Sequence, residues 1–134
     1  MKLPVTLSGK VIHGNSLGNT YDSPTANIVP AEDVSRLAHG VYYSLISIEG
    51  ENHPAITNLG VRPTVSDDGG VNAETYIYDH SKDIYDMDVT VTLLEFSRPE
   101  KKFATVDELY ETVEADIRAG AHFHGLASSS SASR

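Results

Sequence analysis

The chain contains no cysteine and no tryptophan among its 134 residues. Without cysteine there are no disulfide bonds and no thiolate zinc sites, so a hydrophobic core must hold the fold together. A chain of this length can bury such a core as one domain. It has no apolar run of about eighteen residues and no basic segment leading into an apolar stretch, which predicts neither a membrane span nor a secretory signal.

Basic residues are also scarce. Ten Lys and Arg stand against nineteen Asp and Glu, for a formal net charge of -9. A field of this sign repels nucleic acid and anionic membranes, so we expect neither as a partner, and no obligate protein partner is evident. An anionic ligand would need local positive charge or a metal ion. The composition fits a cytoplasmic enzyme or binding module.

Short runs rich in Val, Ile, Thr and Tyr, separated by Gly, Asn, Asp and Pro, predict a mostly β fold. Five or six such strands without intervening helices indicate an antiparallel sheet, and closing the sheet removes its exposed edges. We therefore predict a small closed antiparallel Greek-key-like β-barrel of about six strands. The strands that the pattern marks are residues 5–12, 40–48, 53–61, 73–78 and 87–96.

After the last strand the apolar period changes from two to about 3.6. Thr105 followed by Glu108 forms a capping box, and we expect Gly120 to end the helix. The result is one C-terminal amphipathic helix whose apolar face is predicted to pack on the barrel. That face consists of Val106, Leu109, Val113 and Ile117.

The chain shows no internal repeat and no linker that would divide it. We expect residues 1–125 to form one domain and residues 126–134 a disordered tail. A tail rich in Ser and Ala buries too little apolar surface to offset the entropy lost when it becomes ordered.

The segment Ser23-Pro24-Thr25-Ala26-Asn27 combines a hydroxyl, a carboxamide and a rigid turn. Proline fixes its own φ and pushes the preceding residue into extended geometry, so Thr25 and Asn27 are held at a set reach. Threonine hydroxyl and asparagine carbonyl are hard oxygen ligands that Mg²⁺ accepts alongside phosphate oxygens. The segment is therefore a candidate nucleotide-binding loop. Taken alone, it is also compatible with an ordinary turn.

Six short motifs follow one another along the chain: residues 11–18 (VIHGNSLG), 24–27 (PTAN), 40–42 (GVY), 57–64 (TNLGVRPT), 74–79 (ETYIYD) and 98–103 (RPEKKF). In this order they resemble the riboflavin kinase (flavokinase) family, including the kinase module of bacterial bifunctional FAD synthetases. The resemblance runs from about residue 7 to about residue 120.

The resemblance implies an ATP:riboflavin 5′-phosphotransferase that forms FMN with Mg²⁺, so riboflavin or FMN and ATP or ADP are the expected ligands. Glu74 matches the catalytic glutamate, which would accept the proton of the hydroxyl. Thr25 and Asn27 match the ligands of magnesium and phosphate. Gly14 and Gly18 would let the backbone approach the phosphates. On the residues alone, Glu74 is equally a solvated strand carboxylate, and each glycine an ordinary turn residue.

Arg98 and Asp116 match positions that line the flavin pocket in the family, although patterning alone also allows them to be surface charges. Two features depart from the family: Asn19 stands where most relatives carry Arg or Lys, and Asp22 belongs to an unusual Tyr-Asp-Ser segment. The loss of a cation and gain of an anion near phosphate leave an alternative open. The alternative is a flavin-binding regulatory or sensing module with weakened or lost kinase activity.

Overall fold

The computed structural model describes residues 2–12, 25–61, 70–78, 84 and 86–126. It divides into two compact units, Met1–Glu100 and Lys101–Arg134.

The described residues of the first unit form six strands: β1 (Val5–Lys10), β2 (Thr25–Ile28), β3 (Gly40–Ile48), β4 (Glu51–Val61), β5 (Val71–Ile77) and β6 (Asp88–Pro99). They make one antiparallel sheet with the spatial order β1-β6-β3-β4-β5-β2. Two backbone hydrogen bonds join the edge strands β1 and β2 and their flanking residues, and we call this contact the seam. The Ile12 amide donates to the Asn27 carbonyl at 2.8 Å, and the Ala31 amide donates to the Ser8 carbonyl at 2.9 Å. The sheet thus curls into a half-barrel, which confirms the predicted β fold.

Strand β2 corrects the prediction of a loop at residues 25–27, in the candidate nucleotide-binding segment. Thr25–Ile28 is a four-residue strand that pairs with β5 in antiparallel register. So short a strand has little intrinsic preference for extended structure and owes its form to pairing with a neighbour. The two predicted ligands therefore stand on the sheet itself.

Strand β6 runs to Pro99, three residues beyond its predicted end. Its pairing with β3 shifts register between Val41 and Tyr42 and again between Tyr43 and Ser44. Such irregularities interrupt the alternation of inward- and outward-facing residues along a strand. The sequence prediction relied on this alternation and therefore ended β6 too early.

The core lies on the inner face of the sheet, where Leu7, Ile46 and Leu93 are fully buried. Three hydroxyl side chains also cross this core. Ser44 and Thr57 share a hydrogen bond of 2.8 Å, and Thr57 and Thr75 share another of 2.8 Å. Buried polar groups are tolerated when they satisfy one another in this way.

The segment after β2 is tied to β1 by one carboxylate. Glu32 accepts from the Ser8 amide at 2.7 Å with one oxygen and from the Ser8 hydroxyl at 2.6 Å with the other. Desolvation tends to raise the pKa of Glu32, but the hydrogen bonds from Ser8 and from the backbone of Glu32 together outweigh it and leave the pKa lowered. The bond pair therefore favours the charged carboxylate.

The second unit contains helix α1, Val106–Phe123. Thr105 caps it as predicted, accepting from the Glu108 amide at 3.1 Å, whereas the Glu108 carboxylate accepts from the Ala104 amide at 3.0 Å instead of reaching Thr105. A carboxylate in the first turn stabilises the positive end of the helix dipole. The helix is not long and apolar enough to cross a membrane.

Two expectations about α1 were wrong. Gly120 lies buried inside the helix, which continues to Phe123 and is capped by His124. The αL residue typical of a helix end is Gly125, with φ of 69°, so the wrong glycine was assigned to this role. Val106 is 59% exposed and is not a core residue, which suits its place in the first turn.

Candidate active site

Strands β2 and β5 bring three of the predicted site residues together. Asn27 lies directly opposite Glu74 in the antiparallel register. Residues opposite one another share a face, with Cβ atoms about 4.5–5.5 Å apart. Thr25 is two residues from Asn27 along β2, so it projects from that same face. Thr25, Asn27 and Glu74 therefore form one polar group, which we call the β2–β5 site.

The alternation of β5 explains why this group faces away from the core. Ala73, Thr75 and Ile77 are buried on the inner face. Glu74 and Tyr76 alternate with them along the strand and are half-buried on the outer face. A slip of one residue would turn Glu74 into the core, where an unpaired charge is costly. The apolar pattern of β5 thus sets the direction of Glu74.

Glu74 is half-buried, and desolvation raises its pKa above the ordinary value of 4.5. Among the residues that the structure describes, none donates a side-chain hydrogen bond to its carboxylate. A carboxylate with a raised pKa is a stronger base, and perturbed groups of this kind are common at catalytic positions. The environment of Glu74 suits a general base.

Asn27 is only 5% exposed, and its Oδ1 accepts a hydrogen bond from Nδ2 of Asn72 on β5. Its main-chain carbonyl accepts from the Ile12 amide at the seam of the sheet. Sequence reasoning missed Asn72, because it began this strand at Ala73. The signal was present, since Asn72 stands two residues before Glu74 and so shares its face.

Thr25 and Asn27 offer two neutral oxygen donors. Within the described part of the chain, no group of three or more His, Cys, Asp or Glu side chains is placed to hold a metal ion. Mg²⁺ is commonly bound through few protein ligands together with substrate phosphates and waters. The donor set therefore fits an ion that arrives with a nucleotide better than one held by the protein alone.

A second carboxylate lies on the same face of the sheet. Gly60 on β4 is opposite Asn72, and the Glu100 side chain occupies the space where a β-carbon at Gly60 would stand. Nδ1 of His39 lies 4.0 Å from Oε1 of Glu100. Asn58, also on β4, is exposed and lies opposite Glu74.

The other predicted site residues either lie outside the described residues or belong to separate units. Gly14 and Gly18 lie outside the described residues, as do the departures at 19 and 22. Arg98 is half-buried near the end of β6, and its Nη1 donates to the Pro99 carbonyl at 2.9 Å. Asp116 is half-buried on α1, in the other compact unit. A shared flavin-binding role for Arg98 and Asp116 stays a prediction.

These features define a small mostly β protein with a polar site on the outer face of β2 and β5. The family model described as riboflavin kinase (flavokinase) matches residues 1–124. This match spans all of the described strands and all of α1. The chain belongs to the riboflavin kinase family.

Individual relatives agree with the family. A bifunctional riboflavin kinase/FMN adenylyltransferase of Pseudomonas fluorescens is 35% identical over 116 residues, which cover 87% of this chain and 37% of that protein. A similar protein of Listeria monocytogenes is 37% identical over 113 residues, covering 84% of this chain and 36% of that protein. The chain thus spans less than two fifths of the length of these relatives.

A solved structure of riboflavin kinase from Trypanosoma brucei superposes with a TM-score of 0.63 at 23% identity. The superposition covers 91% of this chain and 80% of that one. At this level of identity the likeness establishes a shared fold.

Proposed function

We propose that this chain is a riboflavin kinase that transfers the γ-phosphoryl group of ATP to the 5′-hydroxyl of riboflavin, giving FMN and ADP. The observation that carries the proposal is the pairing of Asn27 with Glu74 across β2 and β5, in a member of the riboflavin kinase family. The pairing places a candidate base beside candidate phosphate ligands, as transfer of a phosphoryl group to an alcohol requires.

Glu74 has the role of general base. The 5′-hydroxyl gives its proton to the Glu74 carboxylate, its oxygen forms the new bond to the γ-phosphorus, and the bond from that phosphorus to the bridging oxygen of ADP breaks. Burial supports this role because it raises the pKa of Glu74 and so strengthens the base. A positioned base contributes about 10²–10⁴-fold to the rate.

Thr25 and Asn27 would hold Mg²⁺ through the hydroxyl and the carboxamide oxygen, next to the phosphates. When bound, the ion neutralises charge on the transferring group, which matters on a chain with a net charge of -9. Gly14 and Gly18 belong to the same proposal as phosphate-binding positions. Arg98 and Asp116 are proposed to contact the flavin, and the use of ATP favours a cytoplasmic location.

The direct test is to incubate the purified chain with riboflavin, ATP and Mg²⁺ and to separate the flavins by chromatography. We expect FMN to form, and its formation to stop when the metal is chelated. Tight binding of riboflavin without FMN would contradict the proposal and support a flavin-binding module instead.

A further inference from the structure

Asn72 contacts Asn27 and has no role in the phosphoryl transfer proposed above. It stands on β5 two residues before Glu74, and its Nδ2 donates to Oδ1 of Asn27 across the pair of strands. The two residues are diagonal neighbours on one face, since Asn27 lies opposite Glu74. Diagonal neighbours on adjacent strands are within reach of polar side chains of this length.

The hydrogen bond from Asn72 fixes the orientation of the Asn27 carboxamide, with Oδ1 directed toward Asn72. A carboxamide carries an acceptor at one end and two donors at the other, and rotation by about 180° exchanges them at little steric cost. Holding Oδ1 toward Asn72 selects one of the two orientations. With respect to the described residues, Oδ1 keeps a second lone pair, and both Nδ2 protons remain available to a ligand.

Burial gives this selection energetic weight. Asn27 is 5% exposed, so water cannot easily replace a lost partner. Within the described ranges, Asn72 is the side chain that bonds this carboxamide. A buried amide that loses its partner either pays a desolvation penalty or samples both orientations.

We propose that Asn72 is a positioning residue, which acts through Asn27 to set the affinity of the β2–β5 site for the nucleotide-bound metal ion. This inference rests on the proposed function, which makes Asn27 a ligand of the nucleotide-bound metal ion. Asn72 itself touches neither the reacting atoms nor the metal. Its effect passes entirely through the carboxamide of Asn27.

The test measures metal binding without turnover. Mn²⁺ serves as the probe, with ADP present, and electron paramagnetic resonance reports the Mn²⁺ concentration at half occupancy. We expect Asn72→Ala to raise this concentration about three- to tenfold, the effect of losing one hydrogen bond. ADP binding in EDTA should change less than about twofold, because the metal contact is then absent.

A double-mutant cycle shows whether Asn72 acts through Asn27. If it does, Asn27→Ala/Asn72→Ala binds Mn²⁺ no more weakly than Asn27→Ala alone. Multiplied effects in the double variant, or an unchanged Mn²⁺ requirement in Asn72→Ala, would overturn the inference. Asn72→Gln keeps the donor and should recover part of the affinity. The matched control is Asn52→Ala, which removes an exposed asparagine from β4 and should leave Mn²⁺ binding unchanged.

Two further measurements keep the result decisive if Asn72→Ala folds poorly. In the metal-free wild-type chain, the side-chain amide resonances of Asn72 should show the hydrogen bond, and should move in Asn27→Ala. Resonances at free-amide positions in both proteins would count against the inference. FMN formation is scored separately: Mn²⁺–ADP binding without FMN would contradict the kinase function alone, whereas FMN formation with an unaltered Mn²⁺ requirement in Asn72→Ala would contradict the positioning role alone.

Discussion

The carboxylate of Glu100 lies over Gly60, in the space that a β-carbon at residue 60 would fill. The obstructing atom is the far end of a flexible side chain, which can rotate away. We therefore expect Gly60→Ala to change the free energy of unfolding by less than about 1 kcal/mol, since alanine also favours the strand by about 0.5–1 kcal/mol. Urea denaturation would measure the change.

Gly40→Ala provides the contrast. Gly40 has φ of 149°, and a β-carbon there meets the Arg98 carbonyl and, at 2.8 Å, the Cα of Pro99. Backbone atoms cannot move aside as a side chain can, so we expect a loss of about 3 kcal/mol or more from strain and overpacking. Equal losses at the two glycines would refute this distinction.

Glu74→Gln should separate catalysis from binding. Removing the base is expected to lower kcat at least about 10²-fold while riboflavin binding stays within a few-fold of wild type. Steady-state assays and flavin fluorescence titration would measure the two quantities. Unchanged turnover would remove Glu74 from the mechanism.

The raised pKa of Glu74 also predicts how the free energy of unfolding depends on pH in the wild type and in Glu74→Gln. Because the pKa of folded Glu74 is raised above 4.5, the folded protein binds more protons than the unfolded chain between the two values. Stability of the wild type thus falls as the pH rises through this window. Glutamine does not ionise, so Glu74→Gln does not lose stability in this window. At pH 7 the variant should be at least as stable as the wild type, and any gain in its free energy of unfolding over the wild type should disappear below about pH 4. Thermal melting across pH would check this and confirm that lost turnover is not unfolding.

Glu32→Gln should show the opposite dependence on pH. The pKa of folded Glu32 is lowered from 4.5, so its contribution to stability is present above that value and disappears as the pH falls through the lowered one. After allowance for solvent screening, we expect a cost of about 0.5–1 kcal/mol at pH 7. Urea denaturation at pH 7 and pH 3 would show it, with Glu95→Gln as an exposed-carboxylate control on β6.

Thr57→Val tests the hydroxyl chain in the core. The substitution keeps the shape of residue 57 but leaves the hydroxyls of Ser44 and Thr75 without this partner, so we expect a loss of about 1–3 kcal/mol. Thr6 makes a similar hydroxyl contact with Thr92 at 3.1 Å, but at the surface. Thr6→Val should therefore cost less than about 0.5 kcal/mol. A comparable loss for both variants in urea denaturation would show that burial is not the cause.

The sequence predicted the parts of the fold that follow from local pattern. β3 was predicted with its observed bounds, because Gly40 begins a clear alternation that ends at the turn. In that turn Glu49 and Gly50 both adopt positive φ, 52° and 86°, as a two-residue hairpin requires. The cap at Thr105 was equally local and was confirmed.

What the sequence could not predict depends on pairing between distant segments. β2 is a strand only because β5 lies beside it, and nothing in the four residues of β2 indicates this partner. The same pairing creates the β2–β5 site, since Asn27 and Glu74 are 47 positions apart in the chain, from 27 to 74. The motifs identified the residues, whereas the register that joins them came only from the structure.

The hydrogen bond between Ile12 and Asn27 at the seam couples ligand binding to the contact between the edge strands. Asn27 presents its side chain to the β2–β5 site and its main-chain carbonyl to the seam, so one residue takes part in both the candidate site and the contact between the edge strands. A ligand that binds the chain only while the seam hydrogen bonds are formed stabilises the hydrogen-bonded state by mass action. Ligand binding at Asn27 would therefore hold the edge strands together, and the amide hydrogen of Ile12 would exchange more slowly with solvent.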